Sequence, residues 1–258
     1  MILQPSYLLK DIPKRIVSLV PSQTELLHYL GLEEETAAIT RFCIHPKEWF
    51  RSKQRIGGTK TINIPAIKKL QPDLIIANKE ENGKEQVEEL ANDFNVLVTD
   101  VNSIAEALQM IQQIGQLTGK KKTANELIKK IINGFSAITL PETNIKAAYL
   151  IWNKPYMSIG GDTFINDILQ TCGLQNIFAH TKRYPEITIE QLKAENCQLV
   201  LLSSEPYPFK QKHIDELQQQ LPDAKVILVD GEMFSWYGSR MLYMPAYLNN
   251  LVAQIGQQ

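Results

Sequence analysis

Cys43 and His45 stand two residues apart in the stretch FCIHPKEW. A thiolate and an imidazole at this spacing are typical of half a zinc site. A stable site needs further ligands, and the other histidines, His28, His180 and His213, are isolated in the sequence. We therefore expect no metal bound by the protein itself, and we interpret this loop as part of the lining of a ligand site.

Four further stretches are rich in aromatic residues and follow predicted strands. They are Trp152–Asp162, Arg183–Glu186, Ser203–Phe209 and Met233–Arg240. Tyrosine, tryptophan and arginine side chains stack on broad ligands and hold them through cation–π contacts. The same residue types favour protein interfaces, and a single aromatic such as Trp152 is compatible with core packing. The four stretches together predict a bulky or planar ligand, with a protein interface as the alternative.

Sequence motifs of common enzymes are absent. The stretch Gly115–Lys121 resembles a phosphate loop but has three residues between its glycines and a lysine where serine or threonine is required. The sequence contains no G-x-S-x-G, H-E-x-x-H or C-x-x-C. Its 27 basic and 28 acidic residues give a net charge of -1, without an overall electrostatic footprint for nucleic acid. We expect a protein that is not an enzyme and that has no nucleic-acid partner.

The cysteines and the apolar runs bear on the compartment. Three cysteines at unrelated spacings do not form a disulfide framework. Polar residues interrupt the apolar start of the sequence, so it lacks the pattern of a signal peptide, and no 18-residue apolar run is present. As it stands, the sequence predicts a cytoplasmic protein. A leader upstream of Met1 would instead make it periplasmic or attached to the cell surface.

Strand and helix patterns alternate along the chain. Buried strands are predicted at Arg15–Val20, Ala37–Thr40, Asp73–Ala77, Val96–Thr99, Lys146–Trp152, Leu199–Leu202 and Val226–Val229. Helices are predicted at Ile64–Leu70, Gln86–Phe94, Ser103–Leu117 and Thr163–Cys172. Another helix ends at Gly31 and is expected to begin with a capping box formed by Ser22 and Glu25. This alternation predicts parallel sheets with helices on both faces.

The two halves of the chain resemble each other. Ile67–Glu80 parallels Ile189–Glu205, and the predicted strands ending at Asp100 and Asp230 also correspond. Apolar residues at helical spacing in Thr118–Ile138 predict one long helix between the halves. We predict an α/β protein of two Rossmann-like lobes with mainly parallel sheets. The predicted parts are an N-terminal lobe at 1–117, a connecting backbone helix at 118–138 and a C-terminal lobe at 139–258.

Four stretches carry a resemblance to a known family. They are RIVSLVPSQTELLHYLGL, IGGTKTINIPAIKKLQPDLIIA, GGDTFINDILQTCGLQNIF and the stretch from RYPEIT to SSEPYPF. In these the chain resembles the cobalamin- and siderophore-binding proteins of ATP-binding-cassette (ABC) importers, the group with a helical backbone between its lobes. The chain departs from the family pattern in lacking a leader and in its CIHP loop, which is not a general family feature.

The resemblance implies a monomer that binds a metal chelate between its lobes, without a reaction, and delivers it to the permease subunits of an importer. The chelate is a corrinoid, haem or ferric siderophore, and no intrinsic cofactor is expected. A cytosolic carrier or sensor and a chelatase-like enzyme are the alternatives. The implied ligand-binding residues are Phe42, Cys43, His45, Gly58, Thr59, Trp152, Tyr156, Arg183, Tyr184, Phe234, Trp236 and Tyr237. Arg240 is a further candidate ligand-binding residue because of its place in the last aromatic stretch.

Cys43 and His45 are expected to touch a ligand that already holds its metal. Glu80 and Glu205 occupy matching positions in the internal repeat, each just past a predicted strand. Because the resemblance implies one surface carboxylate per lobe for contact with the permease, these two glutamates are the predicted docking residues. Ordinary solvated glutamates remain the alternative reading.

Overall fold

The computed structural model describes residues 1–3, 7 and 9–256 of the chain. These residues divide into two compact units, each of which contains a parallel sheet. Within the described residues, the first unit comprises Met1–Val101, Ala105–Ile131 and Tyr237–Arg240, and the second comprises Asn102–Ile104, Ile132–Trp236 and the chain from Met241 onward.

The first unit is built on a six-stranded sheet. Its strands are β1 (Ile2–Leu3), β2 (Ile16–Ser18), β3 (Thr36–Ile39), β4 (Gln54–Arg55), β5 (Leu74–Asn78) and β6 (Val96–Thr99). They are arranged in the order β1-β6-β5-β2-β3-β4, and every neighbouring pair is parallel. All five residues of β5 are buried, as is typical of a strand covered on both faces of a parallel sheet.

Six helices lie within the described residues up to Phe135. They are α1 (Pro21–Tyr29), α2 (Lys47–Ser52), α3 (Ile64–Leu70), α4 (Lys84–Asp93), α5 (Ile104–Leu117) and α6 (Lys121–Phe135). The capping box predicted for Ser22 and Glu25 is wrong. Pro21 already begins α1, its cap residue Val20 makes no side-chain hydrogen bond, and Glu25 is paired with Arg240.

The segment predicted as one helix from Thr118 to Ile138 is shorter than expected. It separates from α5 at Gly119, whose φ of +71° is in the left-handed region, and its helix α6 has 15 residues. At 1.5 Å per residue α6 is about 22 Å long. The positive φ of this turn favours glycine, and a Cβ at position 119 would lie 2.7 Å from the side chain of Ile12. One of the boundaries between the two compact units falls inside α6, after Ile131.

The second unit is built on a four-stranded sheet and a small hairpin. Its strands are β7 (Ile145–Leu150), β8 (Tyr156–Met157), β9 (Leu174–Asn176), β10 (Glu186–Ile187), β11 (Leu199–Ser203) and β12 (Lys225–Val229). The sheet order is β12-β11-β7-β9, entirely parallel, whereas β8 and β10 pair in an antiparallel manner. The fold class predicted from the sequence, α/β with mainly parallel sheets, is confirmed.

The helices of the second unit cover its sheet. They are α7 (Phe164–Thr171), α8 (Ile189–Ala194), α9 (Gln211–Gln220), α10 (Glu232–Ser235) and α11 (Met244–Ile255). Leu192 of α8 and Leu217 of α9 pack with Val200 and Leu202 of β11 in one apolar core. In the part of the chain that the structure describes, no helix combines the length and the apolar character that crossing a membrane requires.

Candidate functional site

The predicted site residues gather at one edge of each sheet. The strands of a parallel sheet all end at the same edge, and open α/β sheets bind their ligands there. In the first unit, Phe42–His45 follows β3 and Gly58 and Thr59 follow β4. The aromatic stretches follow β7, β9, β11 and β12, which are strands of the second unit, although the last stretch ends with Tyr237–Arg240 in the first unit. Each sheet therefore presents its own set of strand-end loops.

Cys43 supports its loop from within the first unit. Its side chain is fully buried, the Thr24 hydroxyl donates to its sulfur at 3.1 Å, and the Thr40 hydroxyl lies 3.2 Å away. Burial raises the pKa of the Cys43 thiol above its usual value, so the sulfur is held as a neutral thiol. The contact between Cys43 and a ligand, which the resemblance implied, is therefore not available in this structure.

Phe42, next to this cysteine, is exposed. Half of its side-chain area, 49%, is accessible, and the Arg41 guanidinium lies 5.2 Å from the ring centroid. A Cβ at Gly58 would lie 3.2 Å from the Phe42 ring, so glycine lets the two loops approach closely. His45 and Thr59 are half-buried in the same loops. These strand-end loops thus pack closely against each other and expose one flat apolar side chain, that of Phe42.

Asn82 fixes the first set of loops and was missed by the sequence reasoning. Its amide nitrogen donates to the carbonyl of Leu19 at 3.3 Å and to that of Thr59 at 3.0 Å. Its oxygen accepts the backbone N–H of Asn78 at 2.8 Å. One buried amide therefore joins the loops that follow β2, β4 and β5. The two asparagines in NKEENG, directly after a buried strand, were the available signal.

Trp152 is the most exposed aromatic residue of the predicted site in the second unit. Its accessible fraction is 41%, and its ring centroid lies 5.6 Å from that of Tyr207, at an interplanar angle of 66°. Tyr207 in turn contacts Phe209 and His213 through edge-on rings, with centroids 4.8 and 5.5 Å away. The loops after β7 and β11 are joined by this cluster, of which Tyr207, Phe209 and His213 were not among the predicted site residues.

Tyr156 lies in β8 and is half-buried against the apolar core of the second unit. Burial raises the pKa of its hydroxyl, which therefore stays protonated. Phe234 is fully buried, with its ring centroid 5.0 Å from that of Tyr149. Phe234 is thus a core residue because α10 turns it inward, and the ligand contact implied for it is not available in this structure.

Arg183 is held in a fixed position in the loop after β9. Its φ of +54° is in the left-handed region, and its backbone N–H donates to Asp162 Oδ1 at 2.6 Å. Its guanidinium lies 3.5 Å from Asp162 Oδ2 and donates to Asn102 Oδ1 at 2.8 Å. Tyr184, the next residue, is half-buried. The charge of Arg183 is therefore oriented by partners within the second unit while its side chain remains partly accessible.

Glu205 and Glu80 have different surroundings. Glu205 Oε1 accepts hydrogen bonds from the Ser235 hydroxyl at 2.9 Å and from the Trp236 indole nitrogen at 3.0 Å. Burial, with a smaller contribution from Glu232, raises the pKa of the Glu205 carboxyl. Glu80 is exposed, and its backbone N–H donates to the Asn78 side chain. Glu205 thus orients Trp236 within its own unit, whereas Glu80 has the exposure that the docking prediction assumes for both.

Arg240 is committed to an internal ion pair. Its Nε and Nη2 atoms donate to the two carboxylate oxygens of Glu25 at 3.0 and 2.9 Å, and both side chains are largely buried. This bidentate pair attaches the segment Tyr237–Arg240 to α1, in the first unit. Tyr237 is buried in the same segment. The guanidinium of Arg240, predicted to bind ligand, therefore neutralises Glu25 in this structure.

The described residues contain no group of three or more histidine, cysteine, aspartate or glutamate side chains that could hold a metal ion. What the strand-end loops do offer is exposed aromatic surface, at Phe42 and Trp152, and one oriented cation, Arg183. In each unit, taken by itself, the exposed ring is suited to stacking on a ligand, and in the second unit Arg183 is suited to pairing with anionic groups.

Residues 16–224 match the model of the periplasmic binding protein family. The chain belongs to this family. The match spans the carboxyl edges of nearly all strands in both sheets, and it confirms the family resemblance inferred from the sequence. Proteins of this family bind substrates without catalysing a reaction.

Individual relatives are distant but similar over most of their length. The vitamin B12-binding protein of Photorhabdus laumondii is 26% identical over 246 residues, which cover 92% of this chain and 87% of the relative. The uncharacterized ABC transporter substrate-binding lipoprotein YvrC of Bacillus subtilis is 28% identical over 195 residues, 71% of this chain and 62% of the relative.

Among solved structures, the periplasmic heme binding protein HutB of Vibrio cholerae has a TM-score of 0.79 at 20% identity, covering 92% of this chain and 98% of that one. At this level of identity the similarity establishes the fold.

Proposed function

We propose that this protein captures a bulky metal chelate at its strand-end loops and delivers it to the permease of an ABC importer. The observation that carries the proposal is the exposed aromatic surface at the carboxyl edge of each sheet, at Phe42 and Trp152, in a chain of the periplasmic binding protein family. Each aromatic contact with a flat ligand contributes about 0.5–1.5 kcal/mol beyond burial. Capture is a binding equilibrium, with no turnover of the chelate.

The proposed chelate is a corrinoid, haem or a ferric siderophore. The names of two relatives, which state vitamin B12 and heme as their ligands, support the first two. The oriented guanidinium of Arg183 supports a ligand with anionic or carbonyl groups at its periphery, because arginine pairs well with such oxygens. The metal would arrive already bound in the chelate, which agrees with Cys43 being a buried, neutral thiol.

The proposed partner is the permease of an importer, and delivery to it places the protein in the periplasm or at the cell surface. The name of the Bacillus subtilis relative, a substrate-binding lipoprotein of an ABC transporter, supports this partner. Glu80 is the proposed docking carboxylate of the first unit because it is exposed. Glu80→Lys should leave ligand affinity and stability unchanged but should reduce co-purification with the permease, most strongly at low salt.

Thermal shift and absorbance titrations with cyanocobalamin, haemin and a ferric hydroxamate chelate test the capture of a ligand. At least one probe should raise the melting temperature of the protein and change its own absorbance. Binding of that probe should weaken in Trp152→Ala. Tyr243→Ala is the matched control, because Tyr243 is 60% exposed and lies outside the strand-end loops. The proposal is wrong if no probe binds, or if both variants lose affinity equally.

A further inference from the structure

A chain of hydrogen bonds runs beneath Trp152 in the second unit. Asn153 Nδ2 lies 3.2 Å from the Tyr207 hydroxyl, which lies 3.3 Å from His213 Nε2. On the other side of the imidazole, the backbone N–H of Lys210 donates to His213 Nδ1 at 2.8 Å. His213 is 4% exposed and Asn153 is 8% exposed, so the two residues at the ends of this row of hydrogen bonds are both more than nine-tenths buried.

The backbone N–H of Lys210 fixes the proton on His213. Because Nδ1 accepts this hydrogen bond, it carries no proton, and the neutral imidazole must carry its proton on Nε2. The Nε2–H group then donates to the Tyr207 oxygen. The phenol cannot donate back to the imidazole, since neither ring nitrogen has a lone pair directed at it. The hydroxyl hydrogen of Tyr207 must therefore find its acceptor elsewhere.

Among the residues that the structure describes, Asn153 is the other hydrogen-bonding neighbour of the Tyr207 hydroxyl, and one donor stays unused in either orientation of its amide. If the amide nitrogen faces Tyr207, the phenol oxygen accepts from both neighbours and its own O–H remains unused. If the amide oxygen faces Tyr207, the phenol is satisfied. The NH₂ group then occupies the position of Oδ1, a buried atom with no hydrogen-bond partner among the described residues.

We propose that Asn153, Tyr207 and His213 form a hydrogen-bond donor site that receives an oxygen atom at the periphery of the chelate stacked on Trp152. The proposal rests on the proposed function and adds the chemistry by which one edge of the ligand is recognised. The oxygen belongs to a carboxylate, an amide or a hydroxamate, groups that haem, corrinoids and hydroxamate siderophores respectively carry. In this partly buried network a donor left without an acceptor is unfavourable, so the site favours ligands that bring one.

Removal of the Tyr207 hydroxyl tests the site with the probe that binds the unmodified protein. Tyr207→Phe should weaken binding of cyanocobalamin or the ferric hydroxamate chelate about fivefold, and that of haemin, whose carboxylates are charged, about 20-fold or more. Tyr243→Phe removes a hydroxyl from an exposed tyrosine outside the chain of hydrogen bonds and should leave affinity unchanged. Melting temperatures of both variants, measured without ligand, report whether the fold is retained.

Nitrogen-15 NMR of the imidazole gives a second readout that needs no ligand. His213 should be the neutral tautomer with its proton on Nε2, and a proton on Nδ1 would overturn the proposal. Equal probe affinity in Tyr207→Phe and the unmodified protein would also overturn it and would leave the donor to an ordered water. If no probe binds the unmodified protein, the proposed function fails and this inference fails with it, an outcome distinct from the other two.

Discussion

Within each unit the strand-end loops are held in place, but the two units use different kinds of contact. In the first unit, a buried amide, Asn82, and a buried ion pair, Glu25 with Arg240, join segments that are far apart in the chain. In the second unit, the rings of Trp152, Tyr207 and Phe209 pack edge to face. Truncation of one of these polar side chains leaves its partners without their hydrogen bonds. An exposed ring such as that of Trp152 instead offers a surface on which a ligand can stack. We therefore expect deletions in the first unit to lower stability and deletions in the second to lower affinity.

The largest expected effect is that of Glu25→Ala. It leaves the Arg240 guanidinium largely buried without its carboxylate, and the free energy of unfolding should fall by about 3 kcal/mol. Urea denaturation measures this. Lys68→Ala is the control, because Lys68 pairs with Asp93 at 3.0 Å but both side chains are exposed, and its loss should lower stability far less than Glu25→Ala does. Equal losses of unfolding free energy in the two variants would mean that the buried ion pair stabilises the first unit no more than an exposed pair does.

Asn82→Ala should follow, with a loss of about 2–3 kcal/mol, because the backbone groups of Leu19, Thr59 and Asn78 lose their partner. Denaturation of Asn144→Ala gives the matched value for an exposed asparagine with a single side-chain hydrogen bond. A loss below 1 kcal/mol for Asn82→Ala would mean that packing, and not this amide, joins the first set of loops.

Trp152→Ala should weaken binding of the probe about three- to tenfold, as expected for the loss of one aromatic contact. Its effect on stability should be small because 41% of the side chain is exposed. Isothermal titration calorimetry measures the affinity. Phe42→Ala gives the corresponding affinity for the first unit, because Phe42 and Trp152 are both exposed aromatic residues. A stability loss in Trp152→Ala as large as that of Asn82→Ala would contradict the distinction between the units.

The smallest expected effect is a pH dependence due to Glu205. Because its pKa is raised in the folded protein, the folded state binds more protons than the unfolded state at pH values just above 4.5. Stability from this group is therefore present at low pH and is lost as the pH rises through the raised pKa. The unfolding free energy of the unmodified protein minus that of Glu205→Gln should therefore be more positive at pH 5 than at pH 7. A difference independent of pH would show that the carboxyl is not perturbed.

The elements with local signals could be predicted from the sequence. The bounds of α3 and β6 agree with their predictions, since Pro65 at the first turn and an apolar run bounded by polar residues are visible in the sequence itself. The capping box was wrong because Pro21 also satisfies the start of a helix. The break at Gly119 follows a positive φ, and a glycine within a helical pattern does not reveal which φ it adopts.

The position of the candidate loops at the strand ends could be predicted from the sequence, whereas the surroundings of their side chains could not. Strand ends identified the loops because parallel strands end at one edge. The direction of each side chain depends on partners that no local pattern shows. Thr24 and Thr40 enclose Cys43, and Glu25 reaches Arg240 across 215 positions of the chain. Tyr207 and His213 were missed because a tyrosine between prolines and an isolated histidine have no characteristic spacing.

The return of Tyr237–Arg240 to the first unit limits how the protein can be divided. A fragment ending at Ile131 would contain the six-stranded sheet but would lack the cation that neutralises Glu25. A fragment beginning at Ile132 would lack Asn102, which accepts a hydrogen bond from Arg183. Neither half of the gene therefore encodes a self-sufficient module, so recombination that exchanges one half for that of a relative must also restore these two pairs.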